Sequence, residues 1–167
     1  MQRIAIIGNG GSGKSTLARK LSAKLNIPAY HLDKIFLNKN YVNIPKPEMT
    51  IQHNNIIEND KWIIDGNYSH TMGERFERAD TIIMLDFPTW LCVWRIYKRT
   101  FSKEKRTDVP DGCANTVDMK FLSWVLGYKK RAGNKMLNEV LPQYKLEKRI
   151  YVLRNTKDVD KFLSEVK

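Results

Sequence analysis

The residues most suggestive of chemistry lie in residues 4–18, whose sequence is IAIIGNGGSGKSTLA. This segment matches two nucleotide-binding patterns that both start at Gly8. The first, G-x-G-x-x-G, binds dinucleotides, and Asp33 lies twenty residues after its last glycine, as that pattern requires. The second, G-x-x-x-x-G-K-S, ends in Lys14 and Ser15 and binds the phosphates of nucleoside triphosphates.

Lys14 and Ser15 favour the second pattern. Glycines allow successive backbone N–H groups to face phosphate oxygens, and the amino end of the following helix attracts anions. A lysine at this place neutralises the β- and γ-phosphates, and a serine hydroxyl binds Mg²⁺. A dinucleotide-binding helix needs neither side chain, so we predict a phosphate-binding loop of the ATP or GTP type.

Three aspartates are candidates for the carboxylates that such a site needs. Asp33, Asp65 and Asp86 each lie near the end of a predicted strand, where parallel sheets place their ligands. Asp65 or Asp86 could support Mg²⁺, although Asp86 could equally cap the helix that follows it. Asp33 could accept a proton from an acceptor hydroxyl. His31 shares a strand face with Asp33 in this interpretation, and we assign it no catalytic role.

Arginines follow in the second half of the chain. Arg95 and Arg99 are four residues apart on a predicted helix, so they share a face, and Arg106 lies in the charged segment beyond it. Arginine binds phosphate oxygens through two parallel hydrogen bonds, so we predict that these three neutralise the transferred phosphoryl group. The alternative is that they form a solvated basic surface.

The elements that would position these residues alternate along the chain. Short apolar runs predict five strands, at residues 3–7, 29–32, 62–66, 81–86 and 149–153. Helical patterns between them predict a parallel sheet with helices on both faces, forming a single domain over residues 1–167. The polar stretch at 102–116 is too long for a simple connection, so we predict a lid at about residues 100–130.

The composition limits the classes of partner. The net charge is +11, and residues 91–167 carry 18 basic and 9 acidic side chains, so polyphosphate, nucleic acid or a membrane surface could bind there. No apolar run is long enough for a membrane span, and the first residues do not resemble a signal peptide. Cys92 and Cys113 are too few for a disulfide framework or a four-cysteine zinc site, so we expect a cytoplasmic protein.

The chain resembles the adenylate-kinase-like P-loop kinases, and among them the bacterial group of DNA topology modulation proteins. The matching segments are IIGNGGSGKSTLARKL, HLDKIF, WIIDGNYS, ADTIIMLDFP and YVLRNTKDVDKFL. The resemblance implies a three-layer α/β P-loop NTPase fold with a five-stranded parallel sheet and a lid insertion. It also implies Mg-ATP-dependent phosphoryl transfer to a small acceptor, which is a nucleotide, a nucleoside or a hydroxyl-bearing metabolite. A nucleotide-dependent regulator that binds nucleic acid is the alternative.

The resemblance also implies roles for individual residues. Those expected to hold the ATP phosphates are Gly8, Gly10, Gly11, Ser12, Gly13, Lys14, Ser15 and Thr16. Arg154 would lie near the adenine, and Arg95, Arg99 and Arg106 would be lid arginines. We expect Asp33, Asn67 and Tyr68 to line the acceptor pocket. Asn-Tyr-Ser replaces the Phe-Pro-Arg of nucleoside monophosphate kinases at 67–69, and Arg75 or Arg78 could substitute for the missing arginine.

Overall fold

Five parallel strands form the centre of the molecule. A computed structural model describes residues 1–38, 41–101, 107–110 and 119–166. The strands are β1 (Arg3–Gly8), β2 (Ala29–His31), β3 (Trp62–Asp65), β4 (Thr81–Leu85) and β5 (Arg149–Leu153). They are ordered β2-β3-β1-β4-β5, and every neighbouring pair is parallel. The carboxyl ends of β1, β3 and β4 therefore meet at one edge of the sheet, where the phosphate-loop motif begins.

Seven α-helices connect and cover these strands in the described residues. They are α1 (Lys14–Leu25), α2 (Leu32–Phe36), α3 (Lys46–Ile57), α4 (Met72–Arg78), α5 (Thr89–Thr100), α6 (Met119–Tyr128) and α7 (Thr156–Glu165). Wider helical turns at Lys129–Gly133 and Met136–Val140 and a tight turn at Leu141–Tyr144 continue the chain after α6.

Two apolar cores lie on opposite faces of the sheet. Ile4 and Ile6 of β1 face one core, which contains side chains of α1, α5 and α7. Ala5 and Ile7 face the other core, which contains side chains of α2, α3 and α4. Successive residues of a strand point to opposite faces, so a strand covered on both sides must be apolar throughout. The three-layer α/β fold with a five-stranded parallel sheet is confirmed.

The ends of two predicted elements differ from the structure. The second predicted strand stops at His31, because Leu32 and Phe36 form one side of the short helix α2 and are both fully buried. His31 and Asp33 consequently do not share a strand face. The predicted lid at about 100–130 includes 102–106 and 111–118, which lie outside the described residues. Within the described ranges, no helix has the length and apolarity needed to span a bilayer.

Candidate active site

The loop between β1 and α1 has a backbone that suits glycine. Gly8, Gly11 and Gly13 have φ values of +144°, +75° and +97°, which residues with a side chain rarely adopt. Gly13 is the N-cap residue of α1 and has no side chain that could accept a hydrogen bond from the first N–H groups, and the first turn of the helix holds no acidic residue. These N–H groups are therefore left to bind an anion.

Two of the glycines also allow helices to pack on the outside of the loop. A Cβ atom on Gly11 would lie 2.4 Å from the carbonyl oxygen of Cys92 in α5. A Cβ atom on Gly10 would lie 2.9 Å from Phe121 and 2.9 Å from Val125 in α6. The sequence pattern attributes these glycines to phosphate binding alone, whereas the structure gives them a packing role as well.

Two asparagine side chains hold the loop in place. The Asn67 amide donates to the carbonyl oxygen of Gly8 at 2.6 Å and accepts from the Gly8 N–H group at 3.1 Å. Asn9, which the sequence analysis missed, donates to the carbonyl oxygen of Val125 at 3.0 Å. Asn67 was expected to line the acceptor pocket, but its amide oxygen and nitrogen both bond to Gly8, so it also positions the loop.

The first turn of α1 carries the charged and hydroxyl groups of the motif. The Lys14 ammonium donates to the carbonyl oxygen of Asn9 at 2.9 Å, across the loop. The Ser15 hydroxyl donates to the carboxylate of Asp108 at 3.0 Å. The Thr16 side chain is exposed on the next position of the helix. Asp108 is a functional candidate that the sequence analysis missed, because 93 residues separate it from Ser15.

Asp65 ends β3 and is 3% exposed. One of its carboxylate oxygens lies 3.0 Å from Nδ1 of His31. The other is buried and has no hydrogen-bond partner among the residues that the structure describes. Burial lowers the pKa of His31, but the carboxylates of Asp65 and Asp108 outweigh that effect and raise it above its ordinary value. His31 therefore orients Asp65, a role that its sequence position did not indicate.

Asp33 lies in the first turn of α2 rather than on a strand, and its side chain is accessible to solvent. The protein around it nevertheless raises its pKa by desolvation, and the nearby carboxylates of Asp65 and Asp108 add to that rise. The positive charge of Lys14 and a hydrogen bond from Tyr68 oppose the rise. The Tyr68 ring in turn packs edge-on against the ring of Phe36, with centroids 4.9 Å apart.

Arg75, expected to bind the acceptor, is fully buried in α4. Its Nη2 donates to the carbonyl oxygen of Gly66 at 3.0 Å, while Nε and Nη1 have no hydrogen-bond partner in the described part of the chain. Burial lowers the pKa of Arg75 to about 10, and the charge of Asp65 partly opposes this. The guanidinium group thus lies inside the protein and supports the turn that follows Asp65.

The remaining predicted residues lie on the other side of the loop. The Arg95 guanidinium donates to the carbonyl oxygen of Ser12 at 3.0 Å and covers the Phe87 ring. The Asp86 carboxylate lies 3.5 Å from Lys129 and 3.9 Å from Arg154. Arg99 lies near the end of α5, one turn beyond Arg95. Arg106 lies outside the described residues.

The site therefore joins an anion-binding loop to a group of carboxylates. Serine hydroxyl and carboxylate oxygens are the ligands that Mg²⁺ prefers, and Mg²⁺ usually takes only one or two carboxylates together with substrate phosphates. Among the described residues, no group of three His, Cys, Asp or Glu side chains could hold a metal ion without such help. The arrangement at Ser15 and the nearby carboxylates therefore fits a magnesium ion that arrives with a nucleotide.

The chain is similar in sequence or in fold to known kinases. No protein family model matches the chain. A "Putative adenylate kinase" of Pyrococcus furiosus is 29% identical over 109 residues, and the chain spans only 58% of that relative's length. The match covers 61% of this chain.

Solved structures show the same fold across nearly the whole chain. A shikimate kinase from Bacteroides thetaiotaomicron aligns with a TM-score of 0.57 at 17% identity, covering 98% of this chain and 94% of that one. A gluconokinase from Sinorhizobium meliloti aligns with a TM-score of 0.59 at 12% identity, covering 98% and 88% of the two chains. The chain therefore has the P-loop kinase fold of these solved structures.

Proposed function

We propose that the protein is a kinase that transfers the γ-phosphoryl group of ATP to a hydroxyl-bearing or phosphate-bearing small molecule. The observation that carries the proposal is the phosphate loop with Lys14 and Ser15, placed beside the carboxylates of Asp33 and Asp65 at one edge of the sheet. Relatives with this fold that are named adenylate kinase, shikimate kinase and gluconokinase support it.

The ATP side would use the loop and its neighbours. The N–H groups of the glycine-rich turn and of α1 would bind the phosphates, and Lys14 would turn from Asn9 to the β- and γ-phosphates. Arg95, at 3.0 Å from the Ser12 carbonyl, is close enough to help neutralise them. Arg99, Arg106 and Arg154 remain predicted ATP-side residues.

Mg²⁺, when bound, would withdraw electrons from the phosphate oxygens and so favour displacement at phosphorus. Ser15 would be its direct protein ligand. Asp65 suits the second position better than Asp86, because one Asp65 oxygen is buried and no described residue forms a hydrogen bond with it. The Asp86 carboxylate already lies near two cationic side chains.

On the acceptor side, Asp33 would receive the proton. The acceptor oxygen would form a bond to the γ-phosphorus while the bond to the β–γ bridging oxygen breaks and ADP leaves. Where the acceptor is a hydroxyl group, its proton would pass to the Asp33 carboxylate, whose raised pKa makes it a stronger base than an ordinary aspartate. Tyr68 would hold that carboxylate by its hydrogen bond, with Asn67 and Arg75 fixing the neighbouring backbone.

The experiment that tests the proposal is a phosphoryl-transfer screen with Mg-ATP. It would cover nucleoside monophosphates, nucleosides and hydroxyl-bearing metabolites such as shikimate and gluconate, with water as the control acceptor. We expect at least one acceptor to be phosphorylated with matching release of ADP. Release of ADP and inorganic phosphate that no acceptor alters would contradict a kinase and indicate an ATPase.

Nucleic-acid binding is a second candidate function, favoured by a different observation. Trp90, Trp94 and Tyr97 are exposed on α5, at 70%, 52% and 63%, and Lys98 lies 5.3 Å from the centre of the Trp94 ring. Aromatic rings interleaved with cations are typical of surfaces that stack nucleobases. Binding of a labelled oligonucleotide at physiological salt, with an affinity that ATP alters, would support this function.

A further inference from the structure

The segment 107–110 contacts the first two turns of α1 through Thr107 and Asp108. Asp108 accepts a hydrogen bond from Ser15 at 3.0 Å, and Thr107 accepts one from Arg19 at 3.3 Å. Val109, the next residue, is 2% exposed. Two polar contacts and a buried apolar side chain fix this short segment, so the position of the Asp108 carboxylate beside the Ser15 hydroxyl is anchored from both sides.

Asp108 adds negative charge to a site that must bind a polyanion. Its carboxylate acts on both His31 and Asp33, raising the pKa of each, so its field reaches across the site. The same field opposes the entry of bare phosphate groups into the loop, because like charges at such short range repel. A divalent cation placed between the carboxylate and the phosphates would reverse the sign of this interaction.

We infer that Asp108 makes nucleotide binding conditional on a divalent cation, by offering a carboxylate ligand to that cation beside the Ser15 hydroxyl. The inference rests on the proposed function, since it assumes that the loop binds a nucleoside triphosphate. It adds a residue from outside the phosphate-loop motif, and it gives that residue two opposite effects. Asp108 repels the free nucleotide and attracts the nucleotide that carries its cation.

Two simpler roles make different predictions for a charge-removing variant. If Asp108 only blocks the loop, Asp108→Asn strengthens nucleotide binding equally with and without the cation. If Asp108 only docks its own segment, Asp108→Asn changes neither affinity, because the amide oxygen still accepts from Ser15. Only a cation ligand gives weaker binding with the cation and tighter binding without it.

The test is a titration of the full-length protein with a non-hydrolysable ATP analogue, in MgCl₂ and separately in EDTA. The quantity compared is the dissociation constant in EDTA divided by the dissociation constant in MgCl₂. We expect Asp108→Asn to reduce this ratio roughly tenfold relative to the unaltered protein, which corresponds to about 1.4 kcal/mol. Asp160→Asn, at an exposed position of α7, is the matched control and should leave the ratio unchanged.

A second measurement detects binding of the cation directly. Electron paramagnetic resonance of Mn²⁺ in the presence of the analogue should show more free ion with Asp108→Asn than with Asp160→Asn. Thermal unfolding of both variants checks that the fold is retained. An unchanged ratio, or equal tightening in both buffers, overturns the inference and leaves the kinase proposal intact. Failure of the unaltered protein to bind the analogue in either buffer overturns both.

Discussion

The two halves of the candidate site are built in different ways. The phosphate side is formed by backbone groups of one continuous segment, residues 8–16, whose shape depends on glycine conformations and on the amino end of α1. The acceptor side is formed by side chains from α2, β3 and the turn after it, and its groups are titratable and electrostatically coupled. Changes on the phosphate side should therefore act through charge and shape, whereas changes on the acceptor side should act through protonation.

The largest effect is expected from Lys14→Ala on the phosphate side. Removing the cation that faces the β- and γ-phosphates should lower kcat/KM for phosphoryl transfer on the order of 10³-fold. The fold should persist, because the hydrogen bond that Lys14 makes among the described residues runs across the loop to Asn9 and does not involve the core. Steady-state kinetics measures the loss of kcat/KM, and thermal unfolding checks that the fold is retained. Lys20→Ala, exposed on the same helix, is the control, and near-normal turnover of Lys14→Ala would remove the proposed mechanism.

Asp33→Asn is expected to give the largest effect on the acceptor side. Loss of the proton acceptor should lower kcat by about 10²-fold while the affinity for the ATP analogue stays the same. This split between chemistry and binding would separate the two halves experimentally. Kinetics and a binding titration measure it, with the exposed Asp60→Asn as the control. Equal losses of kcat and of ATP affinity would show that the halves do not act separately.

Shape on the phosphate side can be tested with a pair of glycine variants. Gly11→Ala should destabilise the protein by about 3 kcal/mol, because Gly11 has a positive φ and its Cβ would meet the Cys92 carbonyl oxygen at 2.4 Å. Gly73→Ala in α4 meets no atom within 4 Å and should stabilise the protein by about 0.5 kcal/mol. Denaturant unfolding measures both. A Gly11→Ala protein as stable as the parent would contradict the packing of α5 on the loop.

The smallest effect is expected from a change beside Asp33 on the acceptor side. Tyr68→Phe removes a hydrogen bond that lowers the pKa of Asp33, so that pKa should rise further. Activity needs the ionised carboxylate and increases with pH through the Asp33 pKa. The acidic limb of the pH–rate profile should therefore move to higher pH, with only a few-fold change at the plateau. Tyr97→Phe, exposed on α5, is the control. An unmoved limb would show that Asp33 is not the group that titrates.

The sequence was informative where one local pattern determined the result. The buried strands were recognised because continuous apolar runs such as residues 81–85 are required of strands covered on both faces. Lys14 and Ser15 could be predicted as site residues because the chemistry proposed for them depends on neighbours within one loop. Helical turns continue from Met119 to Val140, but those at Lys129–Gly133 and Met136–Val140 are wider than α-helical turns, which no local pattern in the sequence indicated.

Contacts between distant segments were beyond the reach of sequence patterns. The bond between Ser15 and Asp108 joins residues 93 positions apart. The pairing of Asn67 with Gly8 depends on strand register, since Ile6 lies opposite Asp65 and each strand then advances by two residues. The helix that begins at Leu32 replaced a predicted strand end, because burying both Leu32 and Phe36 outweighed the extended pattern before them.

The two hydrogen bonds between Asn67 and Gly8 have a practical consequence for protein engineering. They attach the phosphate loop to the turn after β3. The residues of that turn from 68 onwards follow Asn67 in the chain and take no part in these two hydrogen bonds. Ser69 and His70, the exposed residues of that turn, can therefore be varied in libraries directed at new acceptors, and the ATP-binding loop stays anchored as long as Asn67 is retained.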